Sequence, residues 1–559
     1  MLFWNLYFLV KIGLQLGGKL QMSPWLNLLL FVALLAFQWM PIRRAGLKVA
    51  LSLLIFLPLA FVLALHEFGL VLSTQLFDEI LALRNFSGDY LLELVQRSIS
   101  PTLLWGVAIG LLALRVLYRY LRITSWVGGT LALVCIGLLL PGKSQNQAPL
   151  QAAHYTPVRD GALAAEQIAL GPQDFAKLQK ARNLLDGQGA PGSESTDSPQ
   201  SILTLFFQEQ KAIALNHFTR GIGQPDFDLV FLHICSLAWS DLRFAKQTQH
   251  PLLKQANFVF THFNSATSYS GPAALRLLRS SCGQPEHNAL YQRADPSCLL
   301  FNQLNQAGYK IEVGLNHNGS FDNFKTEVLD NIGAPYTQPI QYNQVALGTV
   351  AFDGSPVARD GDYLKAWWKQ RMAKDAGPVA LYYNTITMHD GNQLPNHRMS
   401  SVQSYPIRLS GLLDDIESVI ALIRQSGKRA LVVVIPEHGA GMTGEYGQLV
   451  GLRELPTPAI TEVPVLGYWI DPQATEQSTN SAPIEIKQPT SYFQLTRLID
   501  NWMTLSPTDQ DKNNWAQVAA GLKTTRFVAQ QGDITILEKQ NQFLIHTPGE
   551  PWKPLGAAK

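Results

Sequence analysis

Residues 431–439 read Leu-Val-Val-Val-Ile-Pro-Glu-His-Gly, and few stretches restrict a fold more tightly. Five consecutive apolar, mostly β-branched residues present no polar face to water, so they specify a strand covered on both sides. Pro436 and Gly439 end it in a turn. A strand of that kind belongs to a mainly parallel sheet between two layers of helices, and ligands bind such sheets beyond the carboxyl ends of the strands. At that point the chain carries Glu437 and His438, an oxygen and a nitrogen ligand side by side. Such a pair looks like half of a transition-metal site, the alternative being a solvated turn with an ordinary Glu-His pair.

The same pattern recurs along the rest of the chain. Runs at 227–234, 258–263, 310–315, 379–387 and 463–470 read as strands. Helical patterns over 273–278, 412–424 and 492–503 alternate with them, and 526–546 reads as a terminal hairpin. Cys235, Ser270 and His389 each lie at or shortly after a strand end, as Glu437 and His438 do. Parallel strands would bring all five to one edge of the sheet. Thiolate, carboxylate and imidazole together favour Zn²⁺ over Mg²⁺ or Ca²⁺, which prefer oxygen shells. Ser270 stands directly before Gly271 and Pro272, which open a helix. Unpaired backbone N–H groups and the helix dipole there favour an anion such as phosphate. A serine at that place and in contact with a metal can ionise and attack phosphorus. Each residue also has an ordinary structural use: Cys235 in a core, Ser270 as a helix cap, His389 in a turn. The chemical reading rests on their joint placement.

The first 142 residues are of another kind. Apolar runs at 25–40, 47–65, 103–118 and 126–140 follow one another. Spanning a bilayer takes roughly 20 apolar residues, with a lower limit of about 17. With flanking residues the four runs reach that length and predict an α-helical multi-span membrane domain. Residues 2–21 are a candidate fifth span, although Lys11 and Lys19 make an interfacial helix a close competitor. No basic start precedes that stretch, so a cleaved leader is not expected. Arg43, Arg44 and Lys48 follow the first run, and Arg115, Arg119 and Arg122 follow the third. The stretch between the second and third runs carries Glu67, Asp78, Glu79, Asp89 and Glu93 against Arg84 and Arg97. The positive-inside rule keeps the basic loops in the cytoplasm and exports everything beyond the fourth span. The expected division is a membrane domain over 1–142, a linker over 143–201 with a short helix near 174–185, and a periplasmic catalytic domain over 202–559. Net charge is +2 with no polybasic run in the soluble part, which argues against a nucleic-acid partner. Cys282 and Cys298 flank a polar, turn-rich segment that an oxidising compartment would close with a disulfide, leaving Cys235 as a free thiol.

Five segments together resemble a known family. They are Ile234-Cys-Ser-Leu-Ala-Trp-Ser-Asp241, Phe263-Asn-Ser-Ala-Thr-Ser-Tyr-Ser-Gly-Pro272, Met388-His-Asp-Gly-Asn392, Pro436-Glu-His-Gly439 and Gly451-Leu-Arg-Glu-Leu-Pro456. The chain resembles, over essentially its whole length, the cellulose biosynthesis protein G type of phosphoethanolamine transferase, of alkaline-phosphatase-like fold. The resemblance implies that Cys235, Ser270, Glu437 and His438 hold zinc and that Ser270 is the nucleophile. It implies that His389 assists proton transfer, while Tyr269 and Arg453 contact the phosphoryl group or ethanolamine. It further implies an inner-membrane protein that takes phosphoethanolamine from phosphatidylethanolamine to the glucosyl 6-OH groups of cellulose, beside the subunits of a cellulose synthase complex. Lipid A phosphoethanolamine transferases differ: they carry Thr in place of Ser270 and Asp-His in place of Glu437 and His438. Two other readings stay open, a related phosphotransferase or phosphodiesterase such as a glycerol-phosphate transferase, and a non-enzymatic scaffold.

Overall fold

The computed structural model describes residues 2–16, 22–67, 86–98, scattered positions between 106 and 116, 123–139 and 198–556. Within those spans it leaves out residues 43, 216–217, 219–224, 375–376, 398, 446–447, 449, 473–481 and 512. The short helix expected near 174–185 lies outside the described residues. The chain divides into two compact units, Met1–Gln151 and Ala152–Lys559.

In the first unit, helices span Leu2–Leu16, Pro24–Gln38, Ala45–Glu67, Gly88–Ser98 and Ile123–Leu139. Among the described residues one helix, Gly46–Ala64, is long and apolar enough to cross a membrane, and Pro24–Gln38 is a shorter apolar helix. The expected run at 103–118 falls mostly outside the described residues. Lys11, the residue that set the first helix apart in the sequence, is buried. It forms an ion pair with Glu67 and donates to Asn27 Oδ1 at 2.7 Å. Matching a charge inside an apolar bundle with an opposite charge is how such a residue is tolerated. Phe8 packs edge-on against Phe31 at 5.4 Å, so this helix joins the bundle's interior.

The second unit is built on an eight-stranded sheet. Its strands are β1 (Asp228–Ile234), β2 (Phe258–Asn264), β3 (Lys310–Leu315), β4 (Tyr336–Thr337), β7 (Val379–Thr385), β8 (Ala430–Pro436), β9 (Glu462–Ile470) and β10 (Ile484–Ile486). The short pair β5 (Leu347–Val350) and β6 (Pro356–Ala358) forms a separate hairpin. The order is β10-β2-β9-β8-β1-β7-β3-β4, with every pairing parallel except the two made by β9. The sheet is therefore mixed, and parallel in its main part.

Side-chain alternation splits β1 and β8 between two cores. Leu229, Phe231, Leu431, Val433 and Ile435 face one core, with residues of the helices Ser270–Leu278 and Tyr492–Met503. Val230, Leu232, Ile234, Val432 and Val434 face the other, with residues of Asp360–Ala373 and Ser401–Gln425. All seven residues of β1, β7 and β8 are buried, as expected for strands covered on both faces.

Two expectations need correction. The helix expected over 412–424 begins at Ser401, where Ser400 and Gln403 form a capping box, and it continues through Pro406. The terminal hairpin is a four-stranded antiparallel sheet, β11 (Val528–Gln531), β12 (Ile534–Lys539), β13 (Gln542–His546) and β14 (Lys553–Pro554).

Candidate metal and nucleophile centre

Register determines what meets at the sheet edge. Ile234 pairs with both Thr385 and Pro436, so β1, β7 and β8 end at one level. Strand β9 is antiparallel to both β8 and β2, and two reversals restore direction. The carboxyl end of β2 therefore lies at the same edge, and with it the loop leading to Ser270.

That loop is braced from outside the sheet. Asn264 Oδ1 accepts from the N–H of Ala266 at 2.8 Å, and its Nδ2 donates to the Val528 carbonyl at 3.0 Å. The N–H of Gln530 donates to the Ala266 carbonyl at 3.0 Å, and Thr267 Oγ1 donates to Gln531 Oε1 at 2.9 Å. The carboxyl-terminal sheet thus holds the loop that presents Tyr269 and Ser270. Ser270 is itself the first helical residue, with Tyr269 at the cap position, rather than standing before the helix.

Cys235 Sγ lies 3.2 Å from Ser270 Oγ and 3.9 Å from His438 Nε2. Ser270 Oγ lies 3.3 Å from His438 Nε2, and Glu437 Oε2 lies 3.8 Å from the same nitrogen. A tetrahedral zinc shell with bonds of about 2.0–2.3 Å has edges of roughly 3.3–3.8 Å, which these spacings approach. His438 Nδ1 contacts the Gly439 carbonyl at 2.9 Å, and a carbonyl can only accept. The proton is thereby assigned to Nδ1, and Nε2 turns its lone pair toward the cluster. Asn384 Nδ2 donates to Glu437 Oε1 at 2.5 Å, while Oε2 is buried with no hydrogen-bond partner among the described residues. Cys235, Glu437 and His438 are wholly buried and Ser270 is half-buried, so the cluster is reached from the serine side.

Burial acts on every charge here. It pushes the Cys235 thiol up to about 12 and Glu437 up to about 7. It drives His438 well below the ordinary histidine value, with the Arg453 guanidinium adding to the effect. Without a cation, the thiol stays protonated and the carboxylate is half-neutralised at pH 7. An orphaned carboxylate oxygen, a lone pair of fixed direction and a thiol at these distances fit a divalent metal ion. Cys235, Glu437 and His438 form such a ligand group, and Ser270 Oγ lies within the same spacing.

The remaining candidates surround this centre. Arg453 is buried; its Nη1 donates to Ser236 Oγ at 2.9 Å, and its guanidinium lies over the Tyr269 ring at 5.6 Å. Tyr269 donates its hydroxyl proton to Glu454 at 2.6 Å. His389 stacks on Phe352 at 4.5 Å and gives its Nδ1 proton to the Asp390 carbonyl at 2.6 Å. Burial, with the Arg453 guanidinium adding to it, lowers its pKa to about 3, so the ring is neutral at pH 7.

Three supporting residues were missed in the sequence. Asn384 orients Glu437, and its signal is the one amide in the buried strand Val379–Thr385. Asp241 accepts from the N–H groups of Ala238 at 2.9 Å and Ala440 at 2.8 Å, which ties the loop after β1 to the loop after β8. Ser236, at φ 62°, turns the chain directly after Cys235 and receives Arg453. Gly439 is required by the same closeness: a Cβ there would come within 2.7 Å of Ala238 Cβ.

The family model of the cellulose biosynthesis protein BcsG C-terminal domain matches residues 188–552, and that of the N-terminal domain matches residues 4–136. The cellulose biosynthesis protein BcsG of Salmonella typhimurium is 33% identical over 553 residues, covering 99% of this chain and 95% of that protein. Its namesake from Escherichia coli is 33% identical over 554 residues with the same coverage. Among solved structures, a protein in the alkaline phosphatase superfamily from Vibrio parahaemolyticus aligns at TM-score 0.44 and 14% identity, over 69% of this chain and 88% of that one. The C-terminal periplasmic domain of EcEptC from Escherichia coli aligns at 0.38 and 14%, over 55% and 90%. At that distance neither bears on the chemistry. Matched across both units and one-third identical along its whole length to two proteins of that name, this chain belongs to the cellulose biosynthesis protein BcsG family.

Proposed function

We propose that this chain is a membrane-anchored phosphotransferase of alkaline-phosphatase-like fold. It moves phosphoethanolamine from phosphatidylethanolamine to glucosyl 6-OH groups of cellulose through a covalent intermediate on Ser270. The observation that carries the reading is the meeting of Cys235 Sγ, Ser270 Oγ and His438 Nε2 within 3.2–3.9 Å beside the unpartnered Glu437 Oε2. Those four residues would hold one Zn²⁺, whose charge when bound would favour the ionised serine and the anionic phosphoryl group.

The residues of the chain do the rest. Ser270 Oγ forms a bond to phosphorus as the bond to the diacylglycerol oxygen breaks, and the serine proton leaves with diacylglycerol. The sugar hydroxyl then bonds to the same phosphorus, the serine oxygen departs, and the hydroxyl proton returns to it. His389, with its proton on Nδ1, offers Nε2 for these transfers. Arg453 and Tyr269 contact the phosphoryl or ethanolamine part of the donor. Cellulose synthase subunits are the expected neighbours. The apolar first unit is a multi-span inner-membrane anchor, with the second unit in the periplasm within reach of lipid and polymer.

Intact mass spectrometry after incubation with phosphatidylethanolamine tests the reading. The wild-type chain should gain the mass of one phosphoethanolamine group, and Ser270→Ala should gain nothing. A wild-type chain that stays unmodified while glucan is modified would replace the covalent route with direct attack by the sugar hydroxyl.

A further inference from the structure

The helix Ser270–Leu278 carries Ser270 at its start and Arg276 in its last turn. Arg276 borders a cavity of about 410 Å³, between the helix Pro199–Lys211, the Cys282 half of the disulfide and the helix Tyr492–Met503. Arg279, Arg497, Lys523 and Arg526 border it too, against one lining carboxylate, Glu209. Arg276 is only 3% exposed. Its Nη1 donates to the Pro285 carbonyl at 3.0 Å, while Nε and Nη2 are buried with no hydrogen-bond partner among the described residues. The Tyr492 hydroxyl, on the same wall, is likewise unpartnered. The phenols of Tyr492 and Tyr291, neutral at pH 7, neighbour Arg276, and among the described residues no carboxylate forms an ion pair with it. Burial lowers its pKa to about 10, so it stays charged at neutral pH. A buried guanidinium with two open donors and no acid is a costly arrangement unless an anion completes it.

We propose that this cavity is a second, metal-independent binding site for a phosphate group, held by Arg276 and attracted by the cationic rim. The planar fork of a guanidinium matches two oxygens of one phosphate. The surplus of positive charge suits a phosphate better than a single carboxylate. A volume of this size also admits a substituent on the phosphate. Free phosphate and the headgroup of an anionic lipid share this chemistry, and the test separates them.

The full-length chain in neutral detergent, stripped of metal, is titrated calorimetrically with inorganic phosphate and, separately, with glycerophosphoglycerol. Saturable binding is expected, weakened about 10- to 100-fold by Arg276→Gln, as for loss of a charge-assisted hydrogen bond. Should Arg276→Gln fail to fold, the double variant Arg497→Ala/Lys523→Ala changes two exposed rim positions and should weaken binding severalfold, less so at high salt. Binding of either probe with this dependence supports the site, and the tighter of the two identifies the source of the phosphate. No saturation by either probe at millimolar concentration, or affinity equal in all variants, overturns it. Because metal is absent throughout, failure here leaves the Ser270 centre untouched, and failure there leaves this site untouched.

Discussion

At the amino end of β1, Asp228 accepts from Arg371 Nε and Nη2 at 3.0 Å each and from the Val379 N–H at 2.8 Å, all out of water. At the carboxyl end of the same sheet, Cys235, Glu437 and His438 are just as buried, yet Glu437 Oε2 accepts no hydrogen bond. Both ends place ionisable groups in low dielectric, where an unmatched charge is expensive. One end matches its charge within the protein and serves the fold. The other leaves Glu437 Oε2 without a hydrogen-bond donor among the described residues. Burial alone therefore does not mark a functional site; the Glu437 end differs from the Asp228 end in leaving a buried carboxylate oxygen unmatched. Arg276 shows the same deficit with the opposite sign.

Four substitutions probe that contrast. The largest effect is expected at Ser270. Ser270→Ala should lower transfer by several orders of magnitude, on the scale of about 10⁶ known for loss of a covalent nucleophile. The melting temperature should stay close to wild type, because the change is worth only about 1 kcal/mol in stability. Glucan modification and thermal unfolding, followed together, check this, and near-normal transfer would remove Ser270 from the chemistry.

A crossed pair comes next. Asp228→Asn leaves the Arg371 charge buried without its partner and should destabilise by about 3–5 kcal/mol, while the folded fraction keeps its metal. His438→Gln should do the reverse, with metal content falling sharply and the stability of the stripped protein barely changed. Elemental analysis beside denaturant unfolding separates the two. If both variants move both readouts alike, the two ends of the strand do not differ as described.

The smallest effect concerns pH. Burial raises Glu437 from 4.5 to about 7 in the metal-free fold. Between those values the folded state holds a proton that the unfolded state has released, so this group's contribution to stability is lost as pH rises. Metal-stripped Glu437→Gln should therefore be more stable than stripped wild type at pH 7, by up to a few kcal/mol, with the gap closing toward pH 4.5. Other titrating groups cancel in the difference. A gap that is constant or widens toward low pH would contradict the burial argument.

Much of the second unit was legible from local pattern. The strands expected at 310–315, 431–435 and 463–470 are Lys310–Leu315, Ala430–Pro436 and Glu462–Ile470. The Cys282–Cys298 disulfide also forms, with Cα atoms 4.9 Å apart, and Cys235 is a free thiol. The carboxyl-terminal sheet was misjudged because short antiparallel strands of mixed polarity are distinguished by their pairing rather than by their own residues. In the first unit, the apolar composition was plain, but Lys11 left its first helix undecided. Its pairing with Glu67, from a different helix, and the packing of Phe8 on Phe31 give that helix an interior position.

What the amino-acid order determined by itself is local: which runs are apolar on every face, where Pro and Gly stop them, and that Glu437 adjoins His438. Those follow from side-chain chemistry acting over a few neighbouring residues. What only tertiary structure decided is lateral. β1 lies between β7 and β8, both far downstream in sequence, and the two reversals at β9 return the Ser270 loop to the shared edge. Asn384 reaches Glu437, and Asp241 ties two loops, for the same reason. Strand order is chosen by the best joint burial of whole elements, and no single segment records it.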